Sequence, residues 1–318
     1  MATFCRLTAV ILLANSSALF ASESSANFPV QSFDQKALTM VDGVRDTLSN
    51  QLIFISNYVD NFFADERMED EGSKSKVVLS YILAHDDFRG SSREFFLKAR
   101  LHFPQTEERL RLIIDSSDED ETDVTETTAA ASATENTLYD LKAALQYIFL
   151  SSKLWQVSAN SGVRFSVPLD PFVRLRVRRL FFVDKIKLRF VQSVFWFQSE
   201  GWGETTAFDI EKSISEELFF RSSSQVTGYA DTNVLVFSQS FSLFQDIGKK
   251  KLMVYSLGMN ADLNLPAITT RYYINARYRH NFYKNWAFYE LVPSINFERE
   301  NEFNASPGIL LRMDIVFG

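Results

Sequence analysis

The chain ends in the sequence ILLRMDIVF, residues 309–317, in which strongly apolar side chains alternate with a mixed set. Successive side chains of an extended strand point to opposite faces, so this segment predicts a strand with two unlike faces. One face carries Ile309, Leu311, Met313, Ile315 and Phe317. The other carries Leu310, Arg312, Asp314 and Val316. The terminal segment is therefore predicted to have an oily side and a charged side.

The same two-residue period recurs upstream, and the fold prediction depends on this recurrence. Including the last strand, fourteen strands are predicted at 77–84, 93–103, 107–114, 139–147, 155–165, 172–182, 186–197, 204–213, 217–225, 232–245, 251–263, 269–280, 286–297 and 308–317. The apolar faces of these strands must be shielded from water. The sequence predicts too few helices to pack against all of them, so contact with membrane lipid is the simplest explanation. We expect an all-β transmembrane barrel of about fourteen antiparallel strands, or twelve if the hairpin 204–225 does not span the membrane. Pro293 lacks a ladder donor and predicts an interruption in the penultimate strand.

Composition supports strands and excludes two other classes of protein. The chain has 30 Phe, 11 Tyr and 4 Trp against 11 Gly and 7 Pro, which suits long strands with aromatic belts. After the amino terminus there is no apolar run of about 18 residues, as a membrane-spanning helix would need. The net charge of −7 argues against a nucleic-acid partner.

The first residues have the layout of a secretory signal peptide. Arg6 precedes an apolar run over residues 7–20, and cleavage is expected after Ala21 or as late as Ala26. Residues 1–21 are therefore predicted to be removed, although a retained anchor is the alternative. Cys5 is the one cysteine, so the mature chain would have neither a disulfide nor a thiol nucleophile.

Residues 22–74 are predicted to form a periplasmic segment with one amphipathic helix at about 34–63. Its apolar stripe repeats at alternating spacings of three and four residues, as Leu38, Val41, Leu48, Leu52, Ile55, Val59 and Phe62. Three placements remain open: packing against the barrel, a periplasmic coiled coil that binds a partner or a second copy, and a plug of the lumen. An apolar stripe suits a polar lumen poorly, which counts against the plug.

The barrel is assigned to residues 75–318, and its longest loop is predicted at 115–137. This loop begins with a run of acidic residues and continues rich in Thr and Ala, which is typical of a solvated outer loop. Short connections alternate with longer ones along the chain. Outer-membrane barrels have short periplasmic turns, so both termini are expected in the periplasm.

The polar faces of the strands carry more basic than acidic residues. If these faces line the lumen, seventeen basic side chains meet eight acidic ones. The candidate lumen-lining basic residues are Arg174, Arg176, Arg178, Lys187, Arg189, Arg271, Arg277, Arg279 and Arg312. Those on the adjacent predicted strands 172–182 and 186–197 are expected to form one patch. The basic residues either pair with carboxylates and fill a narrow lumen, or raise its potential and favour anionic solutes.

The sequence offers little support for an enzyme. Among three histidines, His85 is the one candidate general base, because Asp86 and Asp87 follow it at the predicted outer end of the first strand. An exposed loop histidine is the alternative interpretation. Metal-ligand spacings, glycine-rich phosphate loops and the G-x-S-x-G motif do not occur, so neither metal nor cofactor is expected.

A signal peptide, many alternating strands and a final strand ending in Phe317, followed by Gly318, together resemble bacterial outer-membrane β-barrels of the porin-like type. The resemblance covers about residues 75–318 and implies an integral outer-membrane location. It also implies that the barrel-assembly machinery binds the strand from Ile309 to Phe317. The function expected is a passive channel for small, preferentially anionic solutes. The alternatives are a non-conducting barrel that docks a periplasmic protein through residues 34–63, and a rim hydrolase that uses His85.

Overall fold

A computed structural model of the chain describes residues 62, 75–103, 106, 109–116, 141–231, 234–264 and 266–318. All of them belong to the compact unit Ser49–Gly318. The predicted signal peptide at 1–21 lies outside the described residues. So do the predicted helix at 34–63, apart from Phe62, and the acidic loop at 115–137, apart from Asp115 and Ser116.

The described residues form one closed antiparallel barrel of fourteen strands. The strands are β1 (Lys76–Asp86), β2 (Gly90–His102), β3 (Leu110–Asp115), β4 (Lys142–Ser151), β5 (Trp155–Arg164), β6 (Asp170–Val183), β7 (Ile186–Phe197), β8 (Gly201–Ser213), β9 (Leu218–Tyr229), β10 (Leu235–Gly248), β11 (Lys251–Asp262), β12 (Ile268–Tyr283), β13 (Ala287–Glu298) and β14 (Ala305–Phe317). Each strand pairs with its sequence neighbours, and β1 pairs with β14 to close the barrel. The fourteen-strand prediction is confirmed, because the weaker hairpin 204–225 forms β8 and β9 within the ladder.

Side-chain burial alternates along each strand, as the sequence period requires. On β14, Ile309, Met313 and Phe317 are exposed on the outside, whereas Leu310 and Asp314 are buried. A closed barrel buries the side chains that point inward and exposes those that point outward. The buried members of each strand therefore mark the lumen.

The outer face is apolar across neighbouring strands. Leu257 on β11 lies beside Phe241 on β10 and Ile274 on β12, and all three side chains are exposed. Soluble proteins rarely expose contiguous apolar surface of this extent, because contact of apolar surface with water is unfavourable. Contact with the hydrocarbon core of a membrane removes this unfavourable free energy.

A charge placed on this outer surface is expected to destabilise the barrel. Leu257 lies near the middle of β11, so Leu257→Arg should cost roughly 2–4 kcal/mol of unfolding free energy in lipid, as arginine does at the bilayer midplane. Ile247→Arg, on the outer surface near the end of β10, is the matched control and should cost about 0–1 kcal/mol. Urea titrations in lipid vesicles measure both costs. Equal costs would contradict a hydrocarbon belt around the barrel.

The two rims of the barrel differ in their connections. Because β1 begins opposite the end of β14, both strand ends lie at one rim, here named the terminal rim. Asp184 and Lys250 take positive φ in tight turns at that rim. The opposite, far rim carries the longest connection, residues 116–141. At Pro293 the β12–β13 pairing passes from Asn275 opposite Ser294 directly to Tyr278 opposite Leu291, the interruption that the proline predicts.

Within the described part of the chain, no helix is long and apolar enough to cross a membrane.

Candidate functional site

The candidate site is the inner wall of the barrel, and all nine predicted basic residues occupy inward-facing positions. Lys187, Arg189, Arg271, Arg277 and Arg279 are buried there. Arg178 is buried on β6, and Arg174 and Arg176 share its face. Arg312 shares its face with the buried Asp314 on β14.

One ion network joins β12, β13 and β14 on the terminal-rim side of the lumen. The Asp314 Oδ2 lies 2.5 Å from the Arg279 Nη1, and the Asp314 Oδ1 accepts from the Arg312 Nε at 2.7 Å. Glu290 lies 3.2 Å from Arg279 and 3.4 Å from Arg277. The Asp314 side chain is 0% exposed. Two carboxylates thus lie within salt-bridge distance of three buried or nearly buried arginines, so carboxylates offset much of the positive charge of this part of the wall.

A second network joins β7, β8 and β9. Glu211 lies 3.0 Å from the Lys187 Nζ and accepts from the Arg221 Nε at 2.9 Å. Beside it, Arg189 donates to Asp209 at 3.0 Å. The interpretation that basic residues pair with carboxylates therefore describes this wall.

Several lumenal carboxylates were missed by the sequence analysis because they lie at the ends of strands. Glu298 pairs with Arg89 at 2.5 Å and lies 3.9 Å from Arg271. Asp170 lies 3.7 Å from Arg164 across the β5–β6 hairpin. Strand boundaries taken from sequence are uncertain by a few residues, so an acid at a strand end is easily assigned to a loop.

The basic residues of β6 have no charged residue directly opposite them on the adjoining strands β5 and β7. Arg174, Arg176 and Arg178 follow one another on the inner face, and we name them the arginine ladder. Every residue directly beside a ladder arginine on β5 and β7 is uncharged. These neighbours are Asn160 and Phe195 beside Arg174, Ser158 and Ser193 beside Arg176, and Gln156 and Val191 beside Arg178.

The single basic patch expected from β6 and β7 does not form as a side-by-side arrangement. In the β6–β7 register Arg189 stands opposite Leu180 and Lys187 opposite Phe182, closer to the terminal rim than the arginine ladder. Lys185 is exposed in the turn between the strands. The hairpin register, which the two-residue period does not specify, separates the ladder from the paired residues.

Two inward-facing glycines make room for aromatic rings that lie flat on the wall. A Cβ at Gly203 would stand 2.3 Å from the Phe195 ring, and one at Gly258 would stand 2.5 Å from the Tyr273 ring. These contacts are far shorter than a van der Waals contact, so any side chain at either position must push the ring away. The glycines thereby keep both rings out of the centre of the lumen.

Filling the space above Gly258 is expected to narrow the lumen. In Gly258→Leu the new side chain displaces Tyr273 inward, which lowers the single-channel conductance. The double change Gly258→Leu with Tyr273→Ala removes the displaced ring and should restore most of the conductance. Planar-bilayer recordings compare the two variants, and an unchanged conductance in Gly258→Leu would show that Tyr273 does not limit the pore.

His85, the candidate general base, lies at the far rim on the outward face of β1. Its Nδ1 is 2.9 Å from the Ser91 Oγ, and its Nε2 is 3.7 Å from the Asp87 Oδ1. Ser91 was not anticipated, because its contact depends on the β1–β2 register that sets it opposite His85. More than half of the His85 and Asp87 side chains is exposed to solvent. The described residues contain no cluster of three or more acidic, histidine or cysteine side chains that could hold a metal ion.

Three features occur together in this protein: a closed antiparallel barrel, an apolar outer face and a lumen lined by charged side chains. The protein has the architecture of a membrane-spanning β-barrel. No protein-family model matches the chain, and no curated relative matches it.

Several solved structures are similar in architecture. A form of OmpT from Vibrio cholerae that lacks loop L8 shares 7% identity with a TM-score of 0.48, over 77% of this chain and 98% of that one. The outer-membrane channel DcaP of Acinetobacter baumannii shares 8% identity with a TM-score of 0.42, over 78% of this chain and 99% of that one. The monoaromatic hydrocarbon channel CymD shares 8% identity with a TM-score of 0.45, over 76% of this chain and 87% of that one.

Proposed function

We propose that the protein is a passive outer-membrane channel for small solutes with a preference for anions. The observation that carries this proposal is the arginine ladder, whose neighbours on both adjoining strands are uncharged. On β7–β9 and β12–β14 acidic residues occupy the same wall as the basic groups, within salt-bridge distance.

The inner face of β4, β5 and β6 carries more basic than acidic side chains, and Arg164 on this face also lies 2.6 Å from Glu200. The basic residues of this face are Lys142, Arg164, Arg174, Arg176 and Arg178, and its acidic residue is Asp170. Rings or rows of basic side chains in a narrow aqueous passage concentrate anions and repel cations. Such an effect persists although the whole chain is acidic, because charges outside the lumen are screened within about 8 Å at physiological salt.

Solute efflux from vesicles tests the proposal. Purified protein is reconstituted in liposomes loaded with a small anionic dye or with a cationic dye of similar size. Faster loss of the anionic dye supports the proposal. Equal retention of both dyes would identify a non-conducting barrel, and faster loss of the cationic dye would reverse the assigned preference.

The main alternative is a structural barrel that docks a periplasmic protein through residues 34–63. Deleting residues 34–65 separates the two functions. A channel keeps or increases its conductance after this deletion, whereas a docking protein loses its partner and conducts neither before nor after.

We further propose that the terminal rim faces the periplasm. The tight turns at Asp184 and Lys250 lie at that rim, and the long connection 116–141 lies at the far rim. An epitope inserted within 120–135 should then be reached by antibody on intact cells, whereas one inserted between Lys249 and Lys250 should require a permeabilised outer membrane.

A second candidate function, a hydrolase at the far rim, rests on the contacts of His85. Ser91 and Asp87 occupy opposite ring nitrogens, which is the connectivity of a nucleophile, base and acid. The exposure of the His85 and Asp87 side chains argues against it, because such groups work best where water is excluded. Ester hydrolysis by the wild type that is lost in Ser91→Ala and in His85→Ala would establish this function. A wild type without hydrolysis would remove it.

A further inference from the structure

A row of polar side chains interrupts the apolar outer face of the barrel near the terminal rim. Lys251 on β11 lies directly beside His280 on β12, and His280 lies directly beside Tyr289 on β13. Leu252 and Arg279, which adjoin the first two along their strands, are buried on the inner face. Directly paired residues share a face, so all three polar side chains point outward. We name these three residues the polar row.

The members of the polar row are close enough to contact one ligand. The His280 Nδ1 lies 3.3 Å from the Tyr289 Oη, and the two rings meet edge-on with centroids 5.3 Å apart. Neighbouring strands are about 4.8 Å apart, so the row spans roughly 10 Å from β11 to β13. Lysine, histidine and tyrosine can each donate a hydrogen bond, and a phosphate group offers several strong acceptor oxygens. The row is therefore suited to a phosphate.

The two turns next to the polar row add further lysines. The Lys250 Nζ donates to the backbone carbonyl of Lys284 and to the Asn285 Oδ1 at 3.1 Å, which ties the β10–β11 turn to the β12–β13 turn. Lys249 is exposed beside it. Lys250 and Lys284 have positive φ of 64° and 48°, a region that glycine and asparagine adopt more readily than lysine. The backbone of these turns does not favour lysine, so a role for the side chains is indicated.

Few acidic groups accompany these lysines. Over residues 246–251 and 278–290, all of which the structure describes, the acidic residues are Asp246 and Glu290. Glu290 is buried in the lumen. Asp246 accepts from the backbone N–H of Gly248 at 3.0 Å, at the end of β10. The outer surface of these strand ends therefore carries more basic than acidic groups.

Exposed aromatic rings place the polar row at the edge of the hydrocarbon. Tyr283 and Trp286 are 48% and 39% exposed, and their rings meet edge-on at 5.3 Å between centroids. Tyrosine and tryptophan concentrate where membrane hydrocarbon meets the lipid headgroups. Lys284 lies with its Nζ 5.4 Å from the Tyr283 ring centroid, so a cation stands at the same level.

We propose that the polar row, together with Lys284, binds the phosphate of an anionic phospholipid in the leaflet at the terminal rim. A lipid fits better than a free anion because apolar side chains adjoin the row. Met313 lies directly beside Tyr289, and Leu291 follows on the same face of β13 toward the middle of the barrel wall. The acyl chains of a lipid cover these residues when its phosphate contacts the row. This binding does not depend on whether the barrel conducts.

Lipid binding to the purified full-length protein in a neutral detergent tests the proposal. Phosphatidylglycerol and phosphatidylcholine with the same acyl chains are titrated separately, and native mass spectrometry counts the bound lipids. The phosphate of phosphatidylcholine carries a cationic choline group, which the lysines repel. We expect phosphatidylglycerol to bind at least roughly fivefold more tightly, the effect of about one lysine near an anionic headgroup.

A second outward lysine at the terminal rim supplies a matched control. Lys251→Gln should weaken phosphatidylglycerol binding roughly fivefold and leave phosphatidylcholine binding unchanged. Lys212 on β8 is also exposed at the terminal end of its strand, but its direct neighbours are Ile186 and Phe220. Lys212→Gln should therefore have little effect.

A double variant tests the two rings of the polar row without changing the lysines. His280→Phe with Tyr289→Phe keeps both rings and removes their donors, so it should also weaken phosphatidylglycerol binding. Unchanged binding in this folded variant would contradict the polar row as the site.

Three other results would overturn the proposal. One is a wild type that binds the two lipids equally. Another is an equal loss in Lys251→Gln and Lys212→Gln, which would indicate a general attraction to basic surface. The third is displacement of phosphatidylglycerol by inorganic phosphate at the concentration of the lipid, which would assign the row to a free anion.

Discussion

Replacing Asp314 by leucine is expected to lower the free energy of unfolding by about 3–5 kcal/mol, the usual cost of removing one partner from a buried ion network. The Asp314 carboxylate accepts from Arg312 and forms an ion pair with Arg279, and its side chain is inaccessible to solvent. Its loss leaves the guanidinium groups of Arg279 and Arg312 together, with Glu290 as a remaining carboxylate near Arg279. Urea titration of the protein in lipid vesicles, followed by tryptophan fluorescence, measures the change.

Two further variants decide the cause of this loss. Glu216→Leu removes a carboxylate from an exposed turn and should change stability by less than about 0.5 kcal/mol. Adding Arg279→Met to Asp314→Leu removes the stranded charge and should recover a large part of the loss, because replacing a buried pair by apolar groups is often neutral. If Asp314→Leu alone cost no more than Glu216→Leu, the ion network would contribute nothing to the fold.

Neutralising the arginine ladder is expected to abolish most of the anion preference. With Arg174, Arg176 and Arg178 all replaced by glutamine, the ratio of chloride to potassium permeability should fall roughly tenfold, the lower end of what focused fields do to local ion concentrations. With glutamate at all three positions the preference should reverse. Zero-current potentials in planar bilayers under a KCl gradient measure both changes.

The β6 strand supplies a matched control for this experiment. Arg178 and Arg179 are consecutive, but Arg178 is buried in the lumen while Arg179 lies outside against the rings of Trp155 and Phe181. Arg178→Gln should lower the chloride preference measurably, and Arg179→Gln should leave it unchanged. An equal effect of the two substitutions would show that overall charge, and not the lumen wall, sets the selectivity.

The architecture was predictable from sequence because it depends on a local signal. Alternation of the kind seen in Ile309 to Phe317 recurs in each strand, and the structure gives fourteen strands with the apolar faces of β14 and β11 outward. Even the irregularity at Pro293 follows from one missing N–H. These features require only the chemistry of consecutive residues.

The details of the candidate site were less accessible, because they depend on pairing between strands. The two-residue period determines which face of the strand Arg189 occupies, but it does not determine which residue lies opposite Arg189 on the next strand. The sequence therefore could not show that Arg189 binds Asp209 and lies apart from the arginine ladder. The same limit hid the contact between His85 and Ser91. The carboxylates of Asp170 and Glu298 were missed because each lies at the end of its strand.

The inward apolar clusters were the largest departure from the sequence interpretation. The sequence interpretation assumed that apolar side chains of the strands face outward. It therefore did not anticipate Phe219, Phe244 and Leu252, which face the lumen. A second cluster places Phe172, Phe195 and Phe197 on the inner wall. The two-residue period is enough to assign these side chains to the inner face, but it does not show what packs against them there.

The zero-current potential of the wild-type protein in a planar bilayer, with unequal KCl on the two sides, shows whether the barrel conducts and whether it favours anions. We expect discrete conductance steps and a potential whose sign shows chloride passing more readily than potassium. A potential of the opposite sign, or a correctly folded barrel that conducts no current, would contradict the proposed anion-preferring channel.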